Sequence, residues 1–166
     1  MKIIRTLFLG FLLAGGWLVT SVMAAETVRF TFRAPPLASV GEIFNVALYI
    51  DPAGQRVAQV PFIIGYDPAV LKVVSVEPGP FLGAGPSNVA FSPAVDSGEG
   101  RIRVDAASRD GQGRLAPDVL ATVTFRVLRR FSTTPIQGMT MAPVTPEGEG
   151  LPPQYPETVS LRFRGR

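Results

Sequence analysis

The sequence predicts an all-β fold, an antiparallel sandwich of two sheets, on the strength of three observations. Apolar and polar residues alternate with a period of two along most of the chain, as in strands that bury one face. Turn-forming residues recur throughout, with 17 glycines and 16 prolines among 166 residues. No stretch carries the apolar stripe of an amphipathic helix. Together these observations favour one domain of about nine short strands.

The first half contains four segments that we predict to be strands. Each ends at turn residues, such as Asp51-Pro52-Ala53-Gly54 after the second segment. The segments are residues 28–33, 44–50, 58–66 and 71–77. The last is rich in valine, and we expect it to be buried on both faces. Pro61 lacks an amide donor, so the third segment should lie at a sheet edge or contain a bulge.

The second half continues the same alternation. Residues 88–91 are a weak strand candidate, and the glycine-rich residues 96–100 are predicted to form a turn. The further predicted strands are residues 101–106, 119–127, 136–141 and 158–164. Residues 143–156 form a proline-rich connection without periodicity. These segments complete the count expected for two packed sheets.

Residues 1–24 have the pattern of a secretory signal peptide. Lys2 and Arg5 precede an apolar stretch that begins at Leu7. Residues 22–24 then suit cleavage by a signal peptidase after Ala24. Cleavage there would leave residues 25–166 as a single domain. An uncleaved membrane anchor is the alternative, because the apolar run approaches the ~20 residues that a bilayer requires. The predicted location is exported, whether periplasmic, cell-surface or secreted.

The composition excludes several kinds of chemistry. Histidine and cysteine are absent, which excludes thiol and imidazole nucleophiles, Cys/His zinc sites and disulfides. Lys+Arg number 16 and Asp+Glu 13. Because two of the cations lie in the leader, the remaining domain is nearly neutral and lacks the basic excess of a nucleic-acid-binding module.

The acidic residues indicate turns rather than catalysis. Residues 96–100 offer two carboxylates, whereas calcium takes about six to eight oxygens. We therefore predict no metal and no cofactor. Five aspartates occupy turn contexts, where aspartate commonly makes local hydrogen bonds: Asp51, Asp67, Asp96, Asp110 and Asp118. No catalytic carboxylate pair is expected, and the chain is predicted not to be an enzyme.

Four segments together resemble the cohesin domain family. Gly41-Glu42-Ile43-Phe44-Asn45-Val46 resembles its opening strand, and residues 60–76 resemble the stretch in which an apolar strand leads into Tyr66-Asp67-Pro68 and a valine-rich strand. Residues 100–104 (GRIRV) and 120–125 (LATVTF) match later cohesin strands in the same order. The resemblance implies a nine-stranded jelly-roll sandwich, related to some carbohydrate-binding modules, and a non-enzymatic role in protein–protein interaction. The best known cohesins hold dockerin modules on the scaffolds of cellulose-degrading complexes.

Outward residues of the predicted strands define a candidate partner-binding sheet face. Arginine is favoured at interfaces because its planar guanidinium makes bidentate and stacking contacts. The candidate residues are Gln59, Ile63, Arg101, Arg103, Asp105, Leu120 and Arg126. Cohesins that bind dockerins present polar residues before Tyr-Asp-Pro, whereas this chain has Gln59, Pro61 and Ile63 there. This departure argues against a dockerin-like partner.

The predicted function is therefore an exported adaptor or scaffold domain that binds another exported protein. One alternative is a carbohydrate-binding module for cell-surface or extracellular glycan. The single tryptophan, Trp17, lies in the leader, and Tyr49 is the one tyrosine predicted to point outward from a strand. The other alternative is a structural subunit that assembles with itself through a terminal strand such as residues 28–33.

Overall fold

A computed structural model describes residues 26–85 and 87–164, which form two packed β-sheets. The predicted signal peptide lies outside the described residues. The strands are β1 (Val28–Arg33), β2 (Leu37–Ala38), β3 (Ile43–Asp51), β4 (Phe62–Tyr66), β5 (Leu71–Pro78), β6 (Val89–Asp96), β7 (Arg101–Ser108), β8 (Asp118–Val127), β9 (Thr133–Met141), β10 (Pro153–Gln154) and β11 (Val159–Phe163). This architecture confirms the predicted β-sandwich. The described ranges include no helical segment with the length and apolarity needed to cross a bilayer.

The two sheets differ in size, but in each of them the long strands pair antiparallel and one two-residue strand pairs parallel at the edge. The five-stranded sheet has the order β10-β1-β3-β8-β5, and the six-stranded sheet has the order β2-β11-β9-β4-β7-β6. The long strands pair antiparallel, as predicted, whereas β10 and β2 pair parallel to β1 and β11. These two strands were not predicted because two residues are too few to display an alternation, and both lie next to prolines.

The core lies between the inward faces of the sheets. Burial alternates strictly along β1, as the period-two pattern requires. Phe125 on β8 is fully buried, and its ring centroid lies 5.8 Å from that of Phe44 and 5.4 Å from that of Tyr66. Each such aromatic side chain stabilises the fold by about 1.5–3 kcal/mol relative to an exposed one. Tyr66 therefore belongs to the core.

The prediction for residues 71–77 is wrong in one respect. These residues form most of β5, but Lys72, Val74 and Glu77 are exposed. The physical reason is that the fold has two layers, so β5 packs one face on the core and leaves the face with Lys72 and Glu77 to solvent. Val74 lies at a bulge between Val73 and Ser75. Its valines therefore do not indicate burial on both faces.

The segment around Pro61 folds differently from the single strand predicted over residues 58–66. Strand β4 begins at Phe62, directly after the proline, and lies centrally between β9 and β7. The missing amide donor is therefore outside the ladder, and the Pro61 carbonyl accepts a hydrogen bond from the Ala142 amide at 3.0 Å. A bulge also interrupts the β4–β9 pairing between Ile63 and Ile64. Central placement and a proline are thus compatible here.

Candidate protein-interaction face

The outward side chains of β6, β7, β4 and β9 form one continuous surface, which we call the interaction face. In the register of these strands, Ile63 on β4 lies opposite Arg103 on β7 and Thr140 on β9. Ala94 on β6 lies on the other side of Arg103. The face therefore has an aliphatic residue at its centre and a guanidinium group beside it.

A shallow groove of about 560 Å³ crosses the interaction face. Its lining combines aliphatic, cationic and hydroxyl side chains from all four strands: Ile63, Ala94, Val95, Asp96, Arg101, Arg103, Met139 and Thr140. Met139 is 42% exposed, which is high for a side chain of this type. Val95 is 43% exposed at the margin of the groove, but its cross-strand partner is the buried Ile102, so its side chain is on the inner side of β6. An apolar centre bordered by polar groups is the composition that protein interfaces share.

Gly65 on β4 leaves space for the side chain of Met139 beside the groove. A Cβ atom on Gly65 would lie 2.9 Å from the sulfur of Met139 and 3.4 Å from Cγ of Gln137. The absence of a side chain on β4 therefore lets Met139 lie across the strand. Methionine is flexible and polarisable, so it adapts readily to different apolar partners.

The charges on the interaction face are weakly compensated. Arg101 is 3.9 Å from Glu99, and both side chains are more than half exposed, so this pair contributes about 0–1 kcal/mol. Asp96 uses one oxygen to accept the amides of Gly98 and Glu99 at 3.0 and 3.1 Å. Arg103 forms no ion pair with any acid in the described ranges. Its guanidinium is thus available to an incoming carboxylate.

A hydrogen bond and a close backbone contact hold the β6–β7 turn against the end of β4. The Tyr66 amide donates a hydrogen bond of 2.9 Å to the Gly100 carbonyl, and Gly100 has φ +63°. A Cβ atom there would lie 2.2 Å from the Tyr66 carbonyl oxygen and 2.6 Å from Cδ of Pro68. Only glycine allows this approach, which fixes the turn beside Arg101. The turn predicted at residues 96–100 is confirmed.

Five of the seven predicted site residues lie on the interaction face or next to it. Ile63, Arg101 and Arg103 line the groove. Asp105 is exposed on the same face of β7, opposite Ser92 on β6. Gln59 is exposed before β4 begins and makes isolated bridges to Ala107 and Val144.

Two of the predicted residues do not belong to this face. Leu120 is 1% exposed because the β3–β8 register shifts beside it, so that both Leu120 and Ala121 point inward. It cannot contact a partner. Arg126 is exposed, but it lies on β8 in the five-stranded sheet, so it points away from Arg101 and Arg103. Sequence alternation gives the face of a residue within its strand but not the sheet to which the strand belongs.

Met139 and Val95 are groove residues that sequence reasoning missed. Met139 has opposite parity to the buried Ile136, so alternation alone would place it outward. Val95 has the same parity as the buried Val89, and its exposure arises because β6 is an edge strand. No sequence signal marks that edge position.

The turn aspartates make the local hydrogen bonds predicted for them. Asp51, Asp67 and Asp118 accept backbone amides one or two residues ahead at 2.7–3.0 Å. Asp110 accepts the Ser108 hydroxyl, the Gln112 amide at 2.8 Å and the Arg114 guanidinium at 2.9 Å. These bonds, the Ser108 bond foremost, lower the pKa of Asp110 to about 2. The carboxylates of Asp51, Asp67 and Asp110 therefore stabilise turns, whereas Asp118 is the first residue of β8 and bonds within that strand.

The half-buried Tyr49 and the exposed Tyr155 lie away from the groove. The guanidinium of Arg33 lies 4.1 Å from the ring centroid of Tyr49, on the outer side of the five-stranded sheet, so one face of that ring is covered. Tyr155 is 48% exposed and follows β10. The two residues do not form the planar aromatic strip used by sandwich-type carbohydrate-binding modules.

Comparison with solved structures finds the same fold in several cohesins. The cohesin of a type I cohesin–dockerin complex from Clostridium thermocellum has 18% identity and a TM-score of 0.72, over 83% of this chain and 99% of that one. A cohesin module from a Clostridium perfringens family 33 glycoside hydrolase has 12% identity and a TM-score of 0.70, over 85% and 99%. A non-cellulosomal cohesin from the hyperthermophilic archaeon Archaeoglobus fulgidus has 21% identity and a TM-score of 0.66, over 82% and 92%.

The family comparison agrees with the fold and with the motifs described above. A search of curated protein sequences gave no match. The cohesin family consists of non-catalytic interaction modules. Because the family model of the cohesin domain matches residues 36–149, this chain belongs to the cohesin domain family.

Proposed function

We propose that this chain is an exported, non-enzymatic adaptor or scaffold domain that binds another exported protein through the interaction face. One observation carries the proposal: exposed apolar side chains line a groove that also holds two arginines. Large exposed apolar groups of this kind mark interaction sites, since they are costly to leave in water. Membership of a family of interaction modules supports the same conclusion.

The groove indicates the chemistry of the partner. Met139 and Ile63 would accept an aliphatic or aromatic anchor, because burying such a group against them removes apolar surface from water. Arg103 and Arg101 would face a carboxylate, with which guanidinium groups form two parallel hydrogen bonds. The expected partner surface is therefore an apolar anchor beside an acidic residue.

Dockerin-bearing proteins are the first partner class to test. Solved cohesin relatives are described in complexes with dockerins. Ile63 gives this chain a more apolar surface before Tyr66-Asp67-Pro68 than the polar pattern of dockerin-binding cohesins. We therefore expect any dockerin-like partner to have an apolar contact at that point.

The binding test compares arginine substitutions on the sheet that carries the groove with a matched substitution on the other sheet. Residues 25–166 contain every described strand, and this fragment would be titrated calorimetrically against purified dockerin modules and other exported proteins of the source organism. Arg101→Ser with Arg103→Ser should weaken binding at least tenfold, because each removes a cation from the groove. Arg126→Ser removes the same charge from the opposite sheet and should leave the affinity unchanged.

The opposite result would contradict the proposal directly. Equal loss of affinity in the Arg126→Ser variant would place the binding surface elsewhere. Binding that survives both groove substitutions and Met139→Ser would exclude the interaction face. Strong retention on insoluble polysaccharide with no protein ligand would favour the carbohydrate alternative.

Export requires a separate measurement. We expect the chain, expressed in its source organism with its leader, to be recovered outside the cytoplasm with Ala25 as its first residue. N-terminal sequencing of the recovered protein tests both points. Recovery of the intact Met1 terminus in the membrane fraction would instead identify residues 1–24 as an anchor.

Self-assembly through residues 28–33 has less support than the groove. Strand β1 pairs with β3 along one edge, and Val28 and Arg29 pair with β10 on the other. The edge available to another copy is therefore short.

A further inference from the structure

The end of the sandwich where β8 and β11 terminate carries a group of cations that the interaction face does not use. The Gly41 amide bonds to the Val127 carbonyl at 2.9 Å, and the Arg164 amide bonds to the Ala38 carbonyl at 2.9 Å. These bonds bring the ends of β8 and β11 to the same end of the molecule. We call the part of this region beside the five-stranded sheet the basic end, and its exposed cations are Lys72, Arg126, Arg129 and Arg130. Strand β11, which carries Arg162 and leads to Arg164, belongs to the six-stranded sheet and lies on the other side of the sandwich.

The cations of the basic end are not neutralised by the fold. In the part of the chain that the structure describes, ion pairs within 4.0 Å involve other cations, namely Arg29, Arg101 and Arg114. The nearby acids are engaged elsewhere: Glu42 accepts the Ser39 amide at 2.8 Å, and Asp67 accepts the Ala69 amide at 2.9 Å. In the adjacent β6–β7 turn, Asp96 accepts backbone amides and Glu99 is paired with Arg101. The positive potential of the basic end is therefore directed to solvent.

Exposed aliphatic residues are interspersed with these cations. Ile43 and Lys72 lie on either side of Arg126 in the strand register. Ile43, Val40 and Leu128 are 50%, 49% and 46% exposed. Three of the exposed large apolar side chains thus lie among these cations.

This combination favours one kind of occupant. A soluble polyanion would neutralise the cations but leave the aliphatic side chains in water. A membrane surface of anionic phospholipid satisfies both, because its headgroups attract the cations and its interfacial region accepts shallow apolar groups. The neighbouring pocket has a volume of only 210 Å³ and includes Lys72 and Leu128, so it offers little room for a protein anchor.

We propose that the basic end binds the surface of bilayers containing anionic phospholipid, with Lys72, Arg126 and the arginines of the loop after β8 on the headgroups and Val40, Ile43 and Leu128 at the interface. This activity is separate from binding at the interaction face. Arg126, which lies on the sheet opposite the groove, belongs to this second surface.

The test is co-sedimentation of residues 25–166 with vesicles, so that the leader does not contribute. Vesicles of phosphatidylcholine with an equal part of phosphatidylglycerol should bind the protein, and vesicles of phosphatidylcholine alone should not. Each cation near an anionic surface contributes about fivefold in affinity. Replacing Arg126, Arg129 and Arg130 by glutamine should therefore weaken binding about 100-fold.

Two further variants distinguish binding at the basic end from electrostatic attraction of the vesicle to the net charge of the whole protein. Replacing Arg29, Arg56 and Arg109 by glutamine changes the net charge equally away from the basic end, and it should weaken binding less than fivefold. Replacing Val40 by threonine and Leu128 by glutamine should also weaken binding. Thermal unfolding of each variant verifies that the fold is retained.

Several results would overturn the proposal. One is equal binding to the two kinds of vesicle, and another is no binding to the anionic vesicles. A third is an equal loss of vesicle affinity in both arginine triple variants. Displacement by soluble polyphosphate together with no effect of the Val40/Leu128 change would identify a polyanion site instead. Association between copies of the chain that accounts for all sedimentation would identify a self-contact.

Discussion

Replacing Gly100 by alanine tests the close contact that holds the β6–β7 turn against β4. Gly100 has φ +63°, a conformation in which an L-residue is strained. The added Cβ atom would also lie 2.2 Å from the backbone oxygen of Tyr66, an atom that cannot move independently of its strand. The substitution should therefore destabilise the domain for two separate reasons.

The size of each effect follows from the structure. The left-handed conformation alone costs an L-residue about 1–2 kcal/mol. Relieving the clash requires the turn to move from Tyr66, which weakens its hydrogen bond to Gly100 and costs about 0.5–1.5 kcal/mol more. Including the neighbouring contact with Pro68, we expect the free energy of unfolding to fall by about 2–4 kcal/mol.

Gly111 provides a matched control for the backbone conformation. It has φ +65°, and a Cβ atom there would meet no heavy atom within 4 Å. Gly111→Ala should therefore cost only about 1–2 kcal/mol. The difference between the two variants isolates the contribution of crowding.

Urea unfolding followed by circular dichroism measures both variants. At a typical slope of about 2 kcal/mol per molar urea, Gly100→Ala should lower the midpoint by about 1–2 M without changing the slope. If it lowers the midpoint no more than Gly111→Ala does, the contact between Gly100 and Tyr66 is not as close as described, and the reasoning fails.

Three further changes test the core, a buried hydroxyl and an acidic turn. Phe125→Ala should lower the free energy of unfolding by about 3–5 kcal/mol, because it leaves a cavity in the core, and urea unfolding measures this. The Thr134 hydroxyl is buried and has no hydrogen-bond partner among the described residues, so Thr134→Val should raise the melting temperature, with a gain of about 1 kcal/mol. The pKa of Asp110 is lowered from 3.8 to about 2, so its contribution to stability is present above pH 3.8 and is lost as the pH falls towards 2. Wild type should therefore lose more stability than Asp110→Asn over that interval, as acid titrations of unfolding would show.

Each of these predictions has a control or an opposing outcome. Arg126→Ala lies next to Phe125 but is exposed, so it should change stability by no more than about 0.5 kcal/mol. A marked loss of stability in Thr134→Val would mean that the hydroxyl makes a bond in solution. Equal acid sensitivity of wild type and Asp110→Asn would show that other carboxylates control the acid transition.

The sequence predicts strand faces better than it predicts strand neighbours. Alternation correctly places Phe125 and Ile102 inward and Arg103 outward, because each follows from the local geometry of a strand. It fails at Leu120, where a register shift adds one residue and reverses the orientation. Such a shift depends on the partner strand and leaves no local signal.

Strand alternation also fails to predict which strands bring the residues of the candidate site together. Arg101 and Arg126 carry similar patterns around them, yet they lie on opposite sheets because β7 pairs with β4 and β8 pairs with β3. Val95 is exposed because its strand has one neighbour, which is a property of sheet order. Pairing is decided by contacts between residues far apart in the chain, so period-two reasoning could identify part of the groove but not assemble it.

The two parallel pairs at the sheet edges bear on how the chain acquires its structure. Arg29 on β1 bonds to Gln154 on β10, across 125 residues, and β2 likewise pairs with the distant strand β11. Neither sheet can be completed until almost the whole polypeptide is present, and contacts of such long sequence separation slow folding. The domain should therefore remain incompletely folded throughout its synthesis and close both sheets in a late step.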